Sequence, residues 1–208
     1  MSIWILGIGF LAQGLFFARF LVQWILSEKA RQVLSPVIFW QLSMGASFLL
    51  FVYGWLRDDF AILIGQLFSY YIYIWNLKIQ ARWQQIPGIL RFIFSVTPLA
   101  AISWLLFDWQ ESIMRLFQNE SIPIPLLIWG TAGQVIFTLR FIYQWLYSRK
   151  RNESILPAGF WIISMFGAMI ILSYALFRHD PVLIIGQATG IFVYSRNLFI
   201  LKKSEEKI

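Results

Sequence analysis

Cysteine is absent from the 208 residues, histidine occurs once, and only 13% of the chain is charged. Without cysteine there is no disulfide, thiolate metal site or cysteine nucleophile, and one histidine cannot build a histidine-cluster metal centre. No metal and no cofactor is therefore expected. Soluble domains carry about 25% charged and about 45–50% apolar residues. With 59% hydrophobic residues and a mean hydropathy of +0.68, this chain is no water-soluble enzyme, coiled coil or disordered tail. Acids are scarce too, 10 against 17 Lys and Arg, for a net charge of +7. In so apolar a chain, cations gathered on the cytoplasmic side of a membrane explain that surplus, and no nucleic-acid partner is expected.

What is present is a series of long apolar runs. About 20 apolar residues cross a hydrocarbon core of about 30 Å. Seven stretches qualify, at about 4–26, 36–56, 60–79, 90–107, 124–147, 155–177 and 181–201, parted by short polar breaks. Met1, Ser2 and Ile3 lack the basic start of a signal peptide, so the first run is expected to stay as a span. With the N-terminus outside, the cytoplasmic segments hold Lys29, Arg31, Lys78, Arg82, Arg91, Arg149, Lys150, Arg151, Lys202, Lys203 and Lys207. The outer loops hold only Arg57, Arg115 and Arg178, while Arg19, Arg140 and Arg196 fall within spans. This asymmetry predicts an N-outside, C-inside multi-pass membrane protein.

At an offset of 121 residues the chain matches itself without a gap, with about a third of the positions identical. Arg19-Phe20-x-x-Gln23-Trp24-x-x-Ser27 falls on Arg140-Phe141-x-x-Gln144-Trp145-x-x-Ser148. Pro36, Phe39-Trp40, Ser43-Met44 and Tyr53 fall on Pro157, Phe160-Trp161, Ser164-Met165 and Tyr174. Arg57-x-Asp59, Gly65-Gln66, Tyr73 and Asn76-Leu77 fall on Arg178-x-Asp180, Gly186-Gln187, Tyr194 and Asn197-Leu198. A duplicated unit is the reading, and each copy holds three spans. Three is odd, so a linker helix is needed for both copies to point the same way. The expected fold is an all-α integral membrane protein with seven transmembrane helices as three, one, three. Residues 1–82 form the first repeat, 83–122 the linker helix and outer loop, and 123–208 the second repeat. Parallel repeats of this kind place a site near the midplane, between the copies.

These strings resemble the lipid A biosynthesis N-terminal domain family, over about residues 9–79 and 130–200. The layout is also similar to SWEET and PQ-loop carriers, whose three-helix units pair around an alternating-access pore. The first resemblance implies a membrane domain of envelope glycolipid synthesis, found alone, in tandem or ahead of glycosyltransferase modules. The family label, lipid-A-disaccharide synthase, is expected not to transfer, because 208 residues leave no room for that catalytic domain. The copies also differ: Asp58-Asp59-Phe60 stands against His179-Asp180-Pro181, and Trp75-Asn76 against Arg196-Asn197.

Arg19 and Arg140 are the sharpest candidates. An Arg near the centre of a span costs on the order of 2.5–3.5 kcal/mol on insertion scales, so two need a reason. Gln23 and Ser27 follow Arg19 at i+4 and i+8, as Gln144 and Ser148 follow Arg140, making a polar stripe on each helix. Guanidinium forks suit phosphate, which makes the arginines a candidate pair for an anionic headgroup. The competing reading is snorkelling to the interface. On the third helix of each repeat, Gln66, Tyr73 and Asn76, and again Gln187, Tyr194 and Asn197, are candidate contacts to sugar hydroxyls; interhelical hydrogen bonding is the alternative. Trp24 and Trp145, with Trp40 and Trp161, are candidates for stacking, against a belt role. Arg57 with Asp59 and Arg178 with Asp180 are candidate outer gates, with capping as the plainer role. The ten acids are read as lying in loops and tails, which argues against catalysis and against proton coupling.

The expected function is a non-enzymatic carrier or flippase for an anionic glycolipid or a lipid-phosphate-linked sugar. The alternative is a membrane partner that anchors or supplies an envelope glycosyltransferase. The partners expected are a membrane lipid or glycolipid and such a glycosyltransferase, with the chain a monomer or homodimer.

Overall fold

A computed structural model describes residues 3–56, 60–107, 123–179 and 181–205. Among them are seven α-helices and no strand: α1 (Ile3–Ala30), α2 (Val37–Leu56), α3 (Phe60–Ile79), α4 (Gly88–Phe107), α5 (Ile124–Arg151), α6 (Ala158–Phe177) and α7 (Pro181–Glu205). A single 3₁₀ turn, Trp83–Gln85, lies between α3 and α4. Helix is the form that satisfies every backbone N–H and C=O inside one segment, as a lipid environment demands. Four stretches, Ile3–Ala30, Ile124–Arg151, Ala158–Phe177 and Ile184–Ser204, are long and apolar enough to cross a membrane; Val37–Tyr53 and Gly88–Ala100 are shorter apolar helices.

Helices α1 and α5 outrun the apolar windows, ending at Ala30 and Arg151 rather than near 26 and 147. Both stop on a left-handed residue, Arg31 (φ 53°) and Asn152 (φ 53°), which stand 121 apart. The Asn152 N–H returns to the carbonyls of Ser148 and Arg149, closing the last turn. The longer α1 corrects one expectation: Glu28 is helical, not part of a loop. Pro157 stands at the N-cap of α6, where its missing N–H removes no helical bond.

The chain forms two compact units. The first comprises Met1–Arg19 and Val37–Glu120, the second Phe20–Pro36 and Ser121–Ile208. In the first, α2 packs on α3, and α4 touches both. In the second, α6 packs on α5 and α7. Helix α6 shows the principle: Phe160, Trp161, Ser164, Gly167, Ala168, Ile171 and Ala175 are buried at helical spacing. Its other face exposes Phe166 (63%), Met169 (52%) and Phe177 (74%). Gly167 sits where an added Cβ would lie 2.8 Å from the Phe137 backbone nitrogen, so glycine sets the α5–α6 approach. The fully buried set includes Gln23, Ser43, Asn76, Gln144, Ser148, Ser164 and Asn197. Polar groups inside and large apolar side chains outside invert the soluble pattern and suit hydrocarbon.

Candidate functional site

Each repeat builds the same cage around its arginine. In the first unit, Arg19 is 4% exposed; its Nη1 donates to Ser43 Oγ at 2.9 Å and to Tyr73 OH at 3.3 Å. The guanidinium carbon lies 4.4 Å from the Phe16 ring centre and 5.3 Å from that of Phe39. In the second unit, Arg140 is 3% exposed, donates to Tyr194 OH at 3.2 Å, and lies 3.4, 4.7 and 5.7 Å from the rings of Phe137, Phe141 and Phe160. Ring faces and hydroxyl oxygens stabilise a desolvated cation, cation–π contact being worth about 2 kcal/mol when desolvated. Ser43 and Ser164 hydroxyls each donate to the carbonyl four residues back, Phe39 and Phe160, at 2.6 Å. At that burial the arginines are not snorkelling.

The glutamine–serine stripes tie down the chain beyond each long helix. Ser27 Oγ accepts from the Leu34 N–H at 3.1 Å, and Ser148 Oγ accepts from the Ile155 N–H at 3.0 Å, 121 residues on. Gln23 Nε2 donates to Ser27 Oγ (3.0 Å) and the Leu34 carbonyl (3.3 Å); Gln144 Nε2 donates to Ser148 Oγ (2.9 Å) and the Ile155 carbonyl (3.0 Å). In the second unit Gln23 also meets Asn197. Its Nε2 donates to Asn197 Oδ1 at 2.8 Å, and Asn197 Nδ2 donates back to Gln23 Oε1 at 3.2 Å. Asn76 and Asn197 each donate to the carbonyl one turn earlier, Ile72 and Val193, at 2.9 Å. Gln66 Oε1 accepts from Ser47 Oγ at 2.7 Å, whereas Ala168 takes the serine's place in the second repeat and Gln187 is half-buried.

The tryptophans divide. Trp40 and Trp161 are fully buried against Phe39 and Phe160 and tilt toward Tyr73 and Tyr194, so they neither form a belt nor offer a face for stacking. Trp24 donates to Glu28 at 3.0 Å and meets Phe192 edge-on; Trp145 lies under the Arg149 guanidinium. Arg196 pairs with Glu28 through two nitrogens, Nη2 reaching Oε2 at 3.1 Å, a partly exposed link between α1 and α7. Of the gate residues, Arg178 is exposed and caps α6, while Arg57, Asp59 and Asp180 lie outside the described residues.

The structure therefore joins Arg19 to Tyr73, Arg140 to Tyr194, and Gln23 to Asn197. The sequence reading missed Phe16 and Phe137 as walls of the cages, and Gly9 and Gly130, which face the rings of Tyr53 and Tyr174 at 2.9 and 2.7 Å from an added Cβ. Both pairs are identical at the offset of 121, so the signal was there.

The residues that build both cages lie within two segments that match a known family. The description "Lipid A Biosynthesis N-terminal domain" matches residues 8–78 and 129–199, both repeats. The chain belongs to this family. Curated relatives include three named lipid-A-disaccharide synthase. That of Chlamydia trachomatis serovar D is 31% identical over 215 residues, covering 98% of this chain and 35% of the relative. That of Chlamydia pneumoniae is 30% identical, covering 95% and 33%, and that of Chlamydia felis is 29% identical, covering 94% and 33%. The chain spans about a third of the length of these relatives. No solved structure matches it. Family membership and the apolar helical fold together make this a membrane protein linked to lipid A synthesis.

Proposed function

We propose that the chain is a non-catalytic carrier or flippase, in a bacterial inner membrane, for an anionic glycolipid or a lipid-phosphate-linked sugar. In this reading the two repeats are parallel three-helix bundles linked by α4, with the N-terminus outside and the C-terminus cytoplasmic. The observation that carries it is the duplicated, enclosed arginine. Two guanidinium groups at mid-helix, each braced by a tyrosine hydroxyl, set a positive potential that favours an anionic headgroup inside the bilayer. The surroundings fix that charge in place and leave little of it for direct contact, so its contribution is a field and a scaffold for Tyr73 and Tyr194.

Proteoliposomes holding a fluorescent lipid with a phosphorylated disaccharide head test this. Arg19→Gln and Arg140→Gln are expected each to lower flux at least about tenfold, and Arg19→Lys and Arg140→Lys to retain part of it. Equal flux in all four variants and the wild type would remove the arginines from the mechanism.

A second reading has its own support: the relatives carry a matching segment as about a third of chains named lipid-A-disaccharide synthase. Here the domain anchors a glycosyltransferase or supplies it with lipid. Arg149, Lys150 and Arg151, all exposed at the end of α5, are the docking candidates. Neutralising all three should abolish co-purification with such an enzyme, and Arg19→Gln should not.

A further inference from the structure

The end of α5 departs from the end of α1 in a coordinated way. Tyr143, Tyr147, Arg149 and Arg151 stand where α1 has Val22, Leu26, Glu28 and Ala30, while Gln144, Trp145 and Ser148 between them are kept. A fifth change accommodates the first. Gly159 of α6 replaces Ile38, and a Cβ there would come within 2.5 Å of the Tyr143 ring. The changed side chains also meet one another: the Tyr143 and Tyr147 ring centres are 6.2 Å apart, and the Arg151 guanidinium carbon lies 4.7 Å from the Tyr147 ring centre. That of Arg149 lies 5.3 Å from the Trp145 ring centre. A ring against a guanidinium restrains it without using its N–H donors, which stay available to a phosphate.

The protein leaves these charges largely unanswered. Arg149, Lys150 and Arg151 are exposed, and none pairs with an acid among the described residues. Within the same unit, the Ser35 and Ser154 hydroxyls stand 2.9 Å apart, which brings exposed Lys29 and Arg31 to this end. Helix α7 runs the same way as α5, both being packed on α6, and its last turn adds exposed Lys202 and Lys203. Of the acids here whose side chains are described, Glu28 is taken by Arg196, which leaves Glu153. Such an excess of cations attracts anions.

The row of residues below the charges says which anion. Val135, Leu139, Tyr143, Tyr147 and Arg151 follow one another at i+4 along α5. Val135, Leu139 and Tyr143 are 53%, 46% and 37% exposed. An open aliphatic surface thus passes through two tyrosines into a guanidinium, in the order in which a bilayer passes from acyl chain through its interface to phosphate. An acidic protein would meet the cations alone, whereas a membrane lipid offers a phosphate continuous with hydrocarbon.

We propose that Tyr143, Tyr147, Arg149 and Arg151 form a headgroup site for an anionic membrane phospholipid, at the end of α5 and not at that of α1. The site is independent of the carrier reading, and it gives the cations of the docking reading a lipid rather than a protein to bind.

The test uses the full chain in phosphatidylcholine nanodiscs containing phosphatidylglycerol, with native mass spectrometry counting retained lipids. Arg149→Gln with Arg151→Gln should lower phosphatidylglycerol retention at least about tenfold and leave phosphatidylcholine retention unchanged. Tyr147→Leu, which installs the α1 residue, should lower it about threefold. Lys202→Gln with Lys203→Gln removes as much charge and should cost less than about twofold. A thermal midpoint equal to the wild type's, in phosphatidylcholine alone, shows that each variant folds. Equal losses in the two double variants would mean a diffuse field instead of a site, and overturn the proposal. Wild-type phosphatidylglycerol retention in the arginine variant overturns it too; if that variant at the same time fails to co-purify with a glycosyltransferase, the cations belong to protein docking.

Discussion

Tyr73 and Tyr194 make the same bond to the same kind of partner, so the tyrosine hydroxyl can be weighed twice in one molecule. Each accepts from a guanidinium Nη1, at 3.3 and 3.2 Å, in surroundings almost sealed from solvent. Hydrogen bonds to charged groups contribute about 1.5–3 kcal/mol, against about 0.6 for an average side-chain bond in a membrane protein. Tyr73→Phe and Tyr194→Phe are therefore expected to cost about 1–2 kcal/mol each, read as a lowered midpoint of thermal unfolding in detergent. An unchanged midpoint in both would mean that the ring faces alone hold the cation. The arginine, tyrosine and asparagine positions were legible in the sequence because polar residues in an apolar run stand out and recur. The partners were not. Phe16, Phe39 and Ser43 are ordinary residues in a membrane helix, and only folding shows that they converge on one guanidinium. The pairing of Gln23 with Asn197 joins residues 174 apart that come from different repeats, and no spacing rule reaches that far.

Among the helices, glycine distinguishes contact faces from open ones. An added Cβ at Gly167 meets the Phe137 backbone at 2.8 and 2.9 Å, where no side-chain rotation relieves it; at Gly14 nothing lies within 4 Å. Gly167→Ala should therefore cost about 1–3 kcal/mol by forcing α5 and α6 apart. Gly14→Ala should be neutral or stabilise by up to about 1 kcal/mol through helix propensity. Parallel unfolding curves of the two variants check this, and equal losses would contradict the α5–α6 packing. Helix positions were readable from apolar runs, whereas helix ends were not. Hydropathy stops at the last apolar residue, near 26 and 147, but the backbone continues to Ala30 and Arg151 until a left-handed residue closes it. That extension makes Glu28 helical, about one turn from Trp24 and within reach of Arg196.

For the whole molecule, burial itself is the functional statement. Among the described residues, twelve polar or charged side chains, both arginines included, are buried, while thirty large apolar ones are exposed. Such a chain places its polar machinery inside and its apolar surface toward lipid, as membership in a lipid A biosynthesis family would lead one to expect. The most direct test of the carrier proposal is the initial rate at which the wild-type chain, alone in sealed vesicles, equilibrates a fluorescent phosphorylated glycolipid between leaflets, set against protein-free vesicles. The account predicts a rate well above that background for the glycolipid and no gain for phosphatidylcholine carrying the same fluorophore. A glycolipid rate equal to background, with the protein shown to be inserted and folded, would contradict it.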